Sequence, residues 1–243
     1  MPDVTAPRPY VSPLRERAAQ QTRRAVLVAA QALFVEHGYV GTTVDQIAER
    51  AGVSKPTVFA SAGSKRGLLK DLCDLAIAGD DQPLPVVQRP WYQEALHEPD
   101  QGRSLRLYAR NTVRMHERYA DLGEVLRSAA GADDELRDLW RTSEDQRRNG
   151  ASFIVDSLMR KGALKPGLER ESAIDVLWVL TSSDSFHRLV RVQGWPAQRY
   201  GHWLGDTFCD QLLPRGPAAA LLTGRRRPTP TIVRAASRSA VRP

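Results

Sequence analysis

The stretch from residue 43 to residue 62, TVDQIAERAGVSKPTVFASA, decides the fold of this chain. A helix-turn-helix needs a small residue where its two helices touch, a glycine at the turn, and apolar residues that fix the crossing angle. Ala48 supplies the small residue and Gly52 supplies the turn. The apolar positions are Ile47, Ala51, Val53 and Val58. The stretch therefore predicts two short helices, the second of which can enter the major groove of DNA with its N-terminal residues.

The residues on either side predict two more helices around this pair. From Thr22 onward, apolar residues follow a period of 3.6 residues until Gly38, which can take the left-handed conformation that ends a helix. Either Thr42 or Thr43 caps the second helix, because each has a partner for a capping box three positions later. Ser54 and Ser64 are the expected N-caps of the third and fourth helices.

The remainder of the chain also predicts helices, so we expect an all-α fold. Helical periodicity runs through residues 103–127, either as one helix or as two helices separated at Gly123. A further long helix is predicted from Asp133 or Asp134 to about Gly162. Residues 172–193 predict a buried helix and residues 196–213 a last, aromatic-rich helix. Residues 83–90 are proline-rich and read as a connection.

Charge divides the chain into three parts. Residues 1–70 carry ten basic and five acidic side chains, residues 71–213 carry 18 and 23, and residues 214–243 carry seven arginines and no acid. Because basic charge attracts phosphate polymers regardless of sequence, the first part is a candidate nucleic-acid module. The arginine-rich tail either adds non-specific affinity for DNA or is a soluble terminus without a function of its own.

Several protein classes are excluded or disfavoured by the sequence. It has no run of 18 apolar residues, which excludes a membrane span, and no apolar segment near its start, so we expect a cytoplasmic protein. Its two cysteines, Cys73 and Cys209, lie outside any CxxC or Cys/His cluster, so we expect reduced thiols and no metal. GxSxG, a Gly-rich phosphate loop and HExxH are missing, so we expect no catalytic residues and no cofactor.

Residues 23–75 resemble the DNA-binding domain of TetR-family transcriptional regulators. The resemblance rests on GYxxTTV at 38–44, IAxxAGVSKxT at 47–57 and SKxGLL at 64–69. It implies a helix-turn-helix domain followed by a larger helical ligand-binding and dimerisation domain. It further implies a homodimer formed by the last two long helices, an operator of double-stranded DNA, and a small-molecule effector that relieves repression.

Carried over by position, the resemblance assigns DNA contacts to the second, third and fourth helices. Thr43 begins the second helix and would meet a phosphate, while Lys65 would hold the flanking phosphate. Lys55 would reach a guanine, and Pro56 or Thr57 a thymine methyl group. Phe59 stands where the family usually has tyrosine, and Ser61 where it favours histidine. The full predicted set is Thr42, Thr43, Ser54, Lys55, Pro56, Thr57, Phe59, Ser61 and Lys65.

Candidate ligand contacts lie on the buried stripes of the longer helices. Polar residues there must pair with one another, face a water-filled cavity or belong to a dimer interface, because an unpaired buried polar group destabilises the fold. Aromatic residues on the same stripes are either core or pocket wall. The predicted set is Tyr108, Asn111, Met115, Trp140, Arg147, Phe153, Trp178, Ser182 and Asp184. His187 reads as a packing histidine with satisfied hydrogen bonds.

The expected domains are a disordered basic arm (1–20), the DNA-binding domain (21–81), the ligand-binding and dimerisation domain (82–213) and a disordered tail (214–243). Their leading interpretation is a homodimeric repressor released from its operator by a small molecule. Two alternatives stay open: a DNA-binding or architectural protein without ligand response, and a helical enzyme with an accessory DNA-binding head.

Overall fold

The computed structural model describes residues 13–214, and this part of the chain is helical, with no β-strand. Its helices are α1 (Pro13–Gly41), α2 (Val44–Ala51), α3 (Lys55–Ala62), α4 (Lys65–Ala78), α5 (Pro90–His97), α6 (Gln101–Ala129), α7 (Asp134–Lys161), α8 (Arg170–Leu180), α9 (Ser183–Phe186) and α10 (Ala197–Leu212). The all-α prediction is confirmed. Predictions for residues 1–12 and 215–243, including the arginine-rich tail, lie outside the described residues.

Helix α1 begins earlier than predicted. It starts at Pro13, so the disordered arm expected up to residue 20 is wrong for its last eight positions. Proline is tolerated in a first helical turn, and the residues that follow, LRERAAQQ, are mostly strong helix formers. At the other end Gly38 takes a φ of 71°, which breaks the helical geometry where the sequence predicts it.

The predicted N-caps are confirmed, and the choice between the two threonines is resolved. Thr43 caps α2 in a complete capping box with Gln46, while Ser54, Ser64 and Asp133 cap α3, α4 and α7. These interactions span only three residues, so local sequence is enough to specify them.

Two hydrophobic cores are joined by α6. The first core lies among α1–α4 and includes Phe34, Ile47 and Val58. The second half of α6 completes it with residues such as Tyr119 and Leu126. The first half of α6 packs instead with α5, α7, α8 and α10 in the second core. Although the predicted boundary at residues 81 and 82 falls in the α4–α5 connection, the two units therefore share one helix.

In the larger unit the structure resolves the question left open at Gly123 and differs from the predicted helices at two other places. Helix α6 continues through Gly123, where a Cβ atom would approach the Tyr119 ring to 2.9 Å. The single helix expected at 172–193 is interrupted after Leu180 and continues as α9 and a π-helical turn, His187–Val192. The sequence reading also missed α5, although Pro90 in its first turn is a recognised start signal.

Candidate DNA interface and ligand cavity

Helix α3 is anchored by one side chain and exposes most of the others. Val58 is buried in the first core with Ile47 and Ala48 of α2. The opposite side of α3 is open to solvent and carries Ser54, Lys55, Pro56, Phe59 and Ala60. A short helix presented in this way has the shape needed to lie in a major groove.

The N-terminal end of α3 carries the polar groups available to DNA. The Ser54 hydroxyl lies 2.8 Å from that of Thr57 and also accepts from the Thr57 backbone N–H. Lys55 Nζ lies 2.9 Å from a carboxylate oxygen of Asp45 on α2, and both side chains are exposed. An exposed pair of this kind contributes only about 0–1 kcal/mol, so Lys55 can exchange Asp45 for a DNA acceptor at little cost.

The C-terminal end of α3 is fixed by contacts within the protein. The Ser61 hydroxyl donates to Val58 O at 2.7 Å, and Ser61 O accepts from the Arg23 guanidinium. Arg23 also pairs with Asp71 of α4 at 2.8 Å, so it ties α1, α3 and α4 together. Ser61 therefore helps to position α3, whereas the 42% exposed ring of Phe59 remains open to a partner.

Two residues of the predicted DNA-binding set, Thr42 and Lys65, have structural roles. Thr42 is 1% exposed and its hydroxyl donates to Gly38 O at 2.8 Å, so its assignment to the DNA surface is wrong. Lys65 Nζ donates to Tyr39 O and Thr42 O, both at 2.9 Å, and lies 4.0 Å from the centre of the Tyr39 ring. Partial burial lowers the pKa of Lys65. This lysine locks the α1–α2 connection to α4.

A cavity of about 450 Å³ lies among α5, α6, α7 and the connection that precedes α5. Five predicted ligand residues line it: Tyr108, Asn111, Met115, Arg147 and Phe153. Its volume falls within the range of small-molecule sites in proteins. Much of the remaining wall is apolar or aromatic, for example Val86, Trp91 and Tyr92.

Among the described residues that line this cavity there is one arginine and one carboxylate, and the two neutralise each other. Arg147 pairs with Glu144 one turn earlier on α7, and also donates to Trp178 O and to the Thr181 hydroxyl. Trp178 Nε1 donates to Glu144 Oε2 at 3.1 Å. Arg147 is therefore satisfied within the protein and offers little to an anionic ligand. Trp178 bonds to this pair but does not line the cavity itself.

Three further predicted ligand residues lie elsewhere. Trp140 packs against the first core. Ser182 caps α9 and Asp184 pairs with Arg188 at 2.9 Å, because the helix break places both at a helix start. None of the three lines this cavity. His187 is also unlike its prediction, since its buried Nδ1 has no hydrogen-bond partner among the described residues.

His116, which the sequence reading missed, projects from α6 into the same cavity wall. Its Nε2 lies 3.0 Å from Thr181 O, and the ring is fully buried. Burial lowers the pKa of His116 to about 4, and the nearby Arg147 charge acts in the same direction. Burial also raises the pKa of Tyr108 to about 12. Both side chains are therefore uncharged near neutral pH.

Comparison with known proteins identifies the family. A family model described as "Bacterial regulatory proteins, tetR family" matches residues 26–72. The uncharacterized HTH-type transcriptional regulator YdeS of Bacillus subtilis is 32% identical over 161 residues, which cover 65% of this chain and 74% of YdeS. This chain belongs to the TetR family. It is thus a DNA-binding transcriptional regulator and not an enzyme, as the sequence predicts.

Solved structures of TetR-type regulators share the fold. FadR from Bacillus subtilis, in complex with stearoyl-CoA, superposes with a TM-score of 0.61 at 17% identity, over 76% of this chain and 96% of FadR. The SmeT–triclosan complex gives 0.60 at 18% identity, over 80% and 93% of the two chains. At these identities the likeness concerns the fold alone.

Between residues 13 and 214 no helix is long and apolar enough to span a membrane. Over the same range no three His, Cys, Asp or Glu side chains are grouped to hold a metal ion.

The buried, neutral His116 makes the stability of this TetR-family protein depend on pH. Unfolded histidine has a pKa of about 6.5, so the unfolded chain binds a proton between about pH 6.5 and 4 that the folded chain does not. This contribution is fully present above pH 6.5 and is lost as the pH falls. We expect urea unfolding to show a loss of about 3 kcal/mol from this group between pH 7.5 and 4.

The variant H116Q separates this contribution from that of the carboxylates, which titrate in the same range. The difference in unfolding free energy between the wild type and H116Q should shrink steadily as the pH falls below 6.5. A constant difference over the whole range would show that His116 does not titrate on unfolding.

Proposed function

We propose that this protein is a homodimeric repressor that places α3 of each protomer in the major groove of an operator and is released by a small molecule in the α5–α6–α7 cavity. The observation that carries the proposal is the position of α6. Its first half walls the cavity through residues such as Asn111 and Met115, and its second half completes the core under the DNA-binding helices.

A direct bridge supports coupling between the two ends of α6. Arg118 lies on α6 between the cavity wall and the first core, and its Nε donates to Ala76 O at 2.9 Å near the end of α4. A Cβ atom at Gly79, which ends α4, would lie 3.2 Å from the Arg118 guanidinium. A shift of α6 would therefore move α4, and with it α3. The ligand acts only through different affinities for the DNA-bound and released arrangements.

The proposed dimer uses α8 and α10, which pack against each other in the second core. Val179 on α8 is 58% exposed and Trp203 on α10 is 36% exposed. Large apolar side chains on two adjacent helices favour a self-complementary interface, the usual form of a two-fold dimer. Two copies of α3 would then meet half-sites roughly 34–36 Å apart.

A footprint on DNA flanking the protein's own gene tests the DNA-binding part. We expect two protected half-sites whose centres are about one helical turn, or a multiple of it, apart. K55A should weaken specific binding by about 1–3 kcal/mol, if Lys55 contacts a base. The matched control is R188A, which removes one positive charge from an exposed pair with Asp184 in the larger unit.

Each outcome bears on a separate part of the proposal. Equal losses in K55A and R188A would remove Lys55 from the base contacts and indicate a general charge effect. A single protected half-site would argue against the dimer. A footprint that persists with every effector tested would favour an architectural DNA-binding protein.

A further inference from the structure

Two residues that line the cavity each carry a buried hydrogen-bond acceptor with no partner among the described residues. The acceptors are Asn111 Oδ1 and His116 Nδ1, and both residues lie on α6. Asn111 is 3% exposed and His116 is 0% exposed. An unpaired buried polar atom is unfavourable, so this wall is suited to a molecule that supplies hydrogen-bond donors.

The chemical character of both atoms is fixed by their neighbours. The Asn111 side chain lies 2.5 Å from Trp91 O, and only its Nδ2 group can donate to that carbonyl. Its oxygen must then be the unpaired atom. In the same way, Thr181 O accepts from His116 Nε2, so the proton of the neutral ring is on Nε2 and the free Nδ1 carries a lone pair. Neither unpaired atom can donate a hydrogen bond.

The charge of the wall narrows the ligand further. Among the described residues that line the cavity, Glu144 and Arg147 are the two charged at neutral pH, and they pair with each other. A charged ligand would lose its hydration without finding a free counter-charge. The aromatic and aliphatic wall around the two acceptors favours an apolar body instead.

We propose that the cavity binds an uncharged, largely apolar molecule whose hydroxyl or N–H group donates to Asn111 Oδ1 or His116 Nδ1. Phenols, alcohols and secondary amides belong to this class, while ethers and carboxylates do not. The inference rests on the proposed function, in which this cavity is the effector site.

Calorimetry on the full chain with three matched probes tests the inference. 1-Naphthol carries the donor, 1-methoxynaphthalene keeps the ring and the oxygen but has no donor, and 1-naphthoate carries a charge. We expect 1-naphthol to bind at least about tenfold more tightly than the ether, although the ether is more apolar. 1-Naphthoate should bind at least about tenfold more weakly than 1-naphthol, because it meets no free cation.

Variants assign the preference to the two acceptors. N111L and H116F each remove one acceptor, and the preference for 1-naphthol over the ether should fall in each and vanish in the double variant. The ether itself measures whether each variant still has a folded cavity. L107M is the matched control, because Leu107 lies on α6 outside the cavity wall, and an apolar side chain of similar volume there should leave the preference unchanged.

The failure of this inference can be told apart from that of the proposed function. Equal affinities for 1-naphthol and the ether would overturn the donor requirement and leave the cavity as a ligand site. No binding of any probe would overturn the inference while a footprint still establishes DNA binding. Preferential binding of 1-naphthol without release of DNA would support the inference and contradict ligand-controlled release.

Discussion

Replacing Arg147 by methionine should lower the free energy of unfolding by about 3 kcal/mol. Methionine has a similar length but cannot donate, so the Glu144 carboxylate loses its counter-charge, and Trp178 O and the Thr181 hydroxyl each lose one hydrogen bond. Breaking a buried ion pair by removing one member costs about 3–5 kcal/mol. Because the two side chains retain 18% and 26% exposure, we take the lower end of that range.

The next residue along the chain provides the matched control. Arg148 pairs with Glu171 and Asp175 at 3.0 and 2.9 Å, but all three side chains are well exposed. R148M should therefore cost no more than about 1 kcal/mol in urea unfolding. The double variant E144Q/R147M should recover most of the loss, because glutamine is neutral and still accepts from Trp178 Nε1. Equal costs for R147M and R148M would contradict a buried role for Arg147.

Local interactions explain which parts of the fold the sequence predicts well. The caps at Thr43, Ser54, Ser64 and Asp133 depend on residues three positions away, so the local sequence is sufficient to predict them. The glycine break at residue 38 depends on one backbone conformation and is equally local. The sequence alone could not show which of Thr42 and Thr43 caps α2. The tertiary structure decides it, because the Thr42 hydroxyl donates to backbone carbonyls of α1 and Thr43 is left as the cap.

The cavity was predicted less well, because periodicity identifies a buried face without showing what lies opposite. On α6 the stripe correctly led to Tyr108, Asn111 and Met115, which line the cavity. The buried stripe of α7 also includes Trp140, but this side chain packs against the first core and does not line the cavity. Glu144 and His116 were missed, since a charged or polar residue beside a buried stripe gives no sign of its partner.

The helix break before Ser182 and Asp184, which the prediction of one helix at 172–193 missed, had a signal in the sequence. The run Thr-Ser-Ser-Asp at 181–184 is rich in N-cap residues, and Ser182 does cap α9 through the backbone N–H of Asp184. The apolar character of residues 173–180 favoured a single long helix and concealed the restart. Local capping chemistry was the better guide in this segment.

The second large effect is expected at Gly67, the third residue of α4. A Cβ atom there would lie 2.2 Å from Ala62 O, which belongs to the last residue of α3. A backbone oxygen cannot rotate away as a side chain does, so G67A must open the α3–α4 junction. Overpacking of this kind costs about 1–3 kcal/mol and occasionally more. This contact explains why the motif SKxGLL carries glycine at this position.

The displacement should affect DNA binding beyond its effect on stability, because α3 would leave the position fixed by Val58, Ser61 and Arg23. For G67A we expect a specific DNA affinity reduced by at least about tenfold, which is about 1.4 kcal/mol, in a gel shift at fixed salt with folded protein. The control is G131A in the α6–α7 turn, where the nearest atom to an added Cβ lies at 3.6 Å. If G67A retained the stability and affinity of G131A, the position of α3 would not depend on this close contact. A loss of stability and DNA affinity in G67A but not in G131A would show that α3 is held in place at its C-terminal end as well as by the buried Val58.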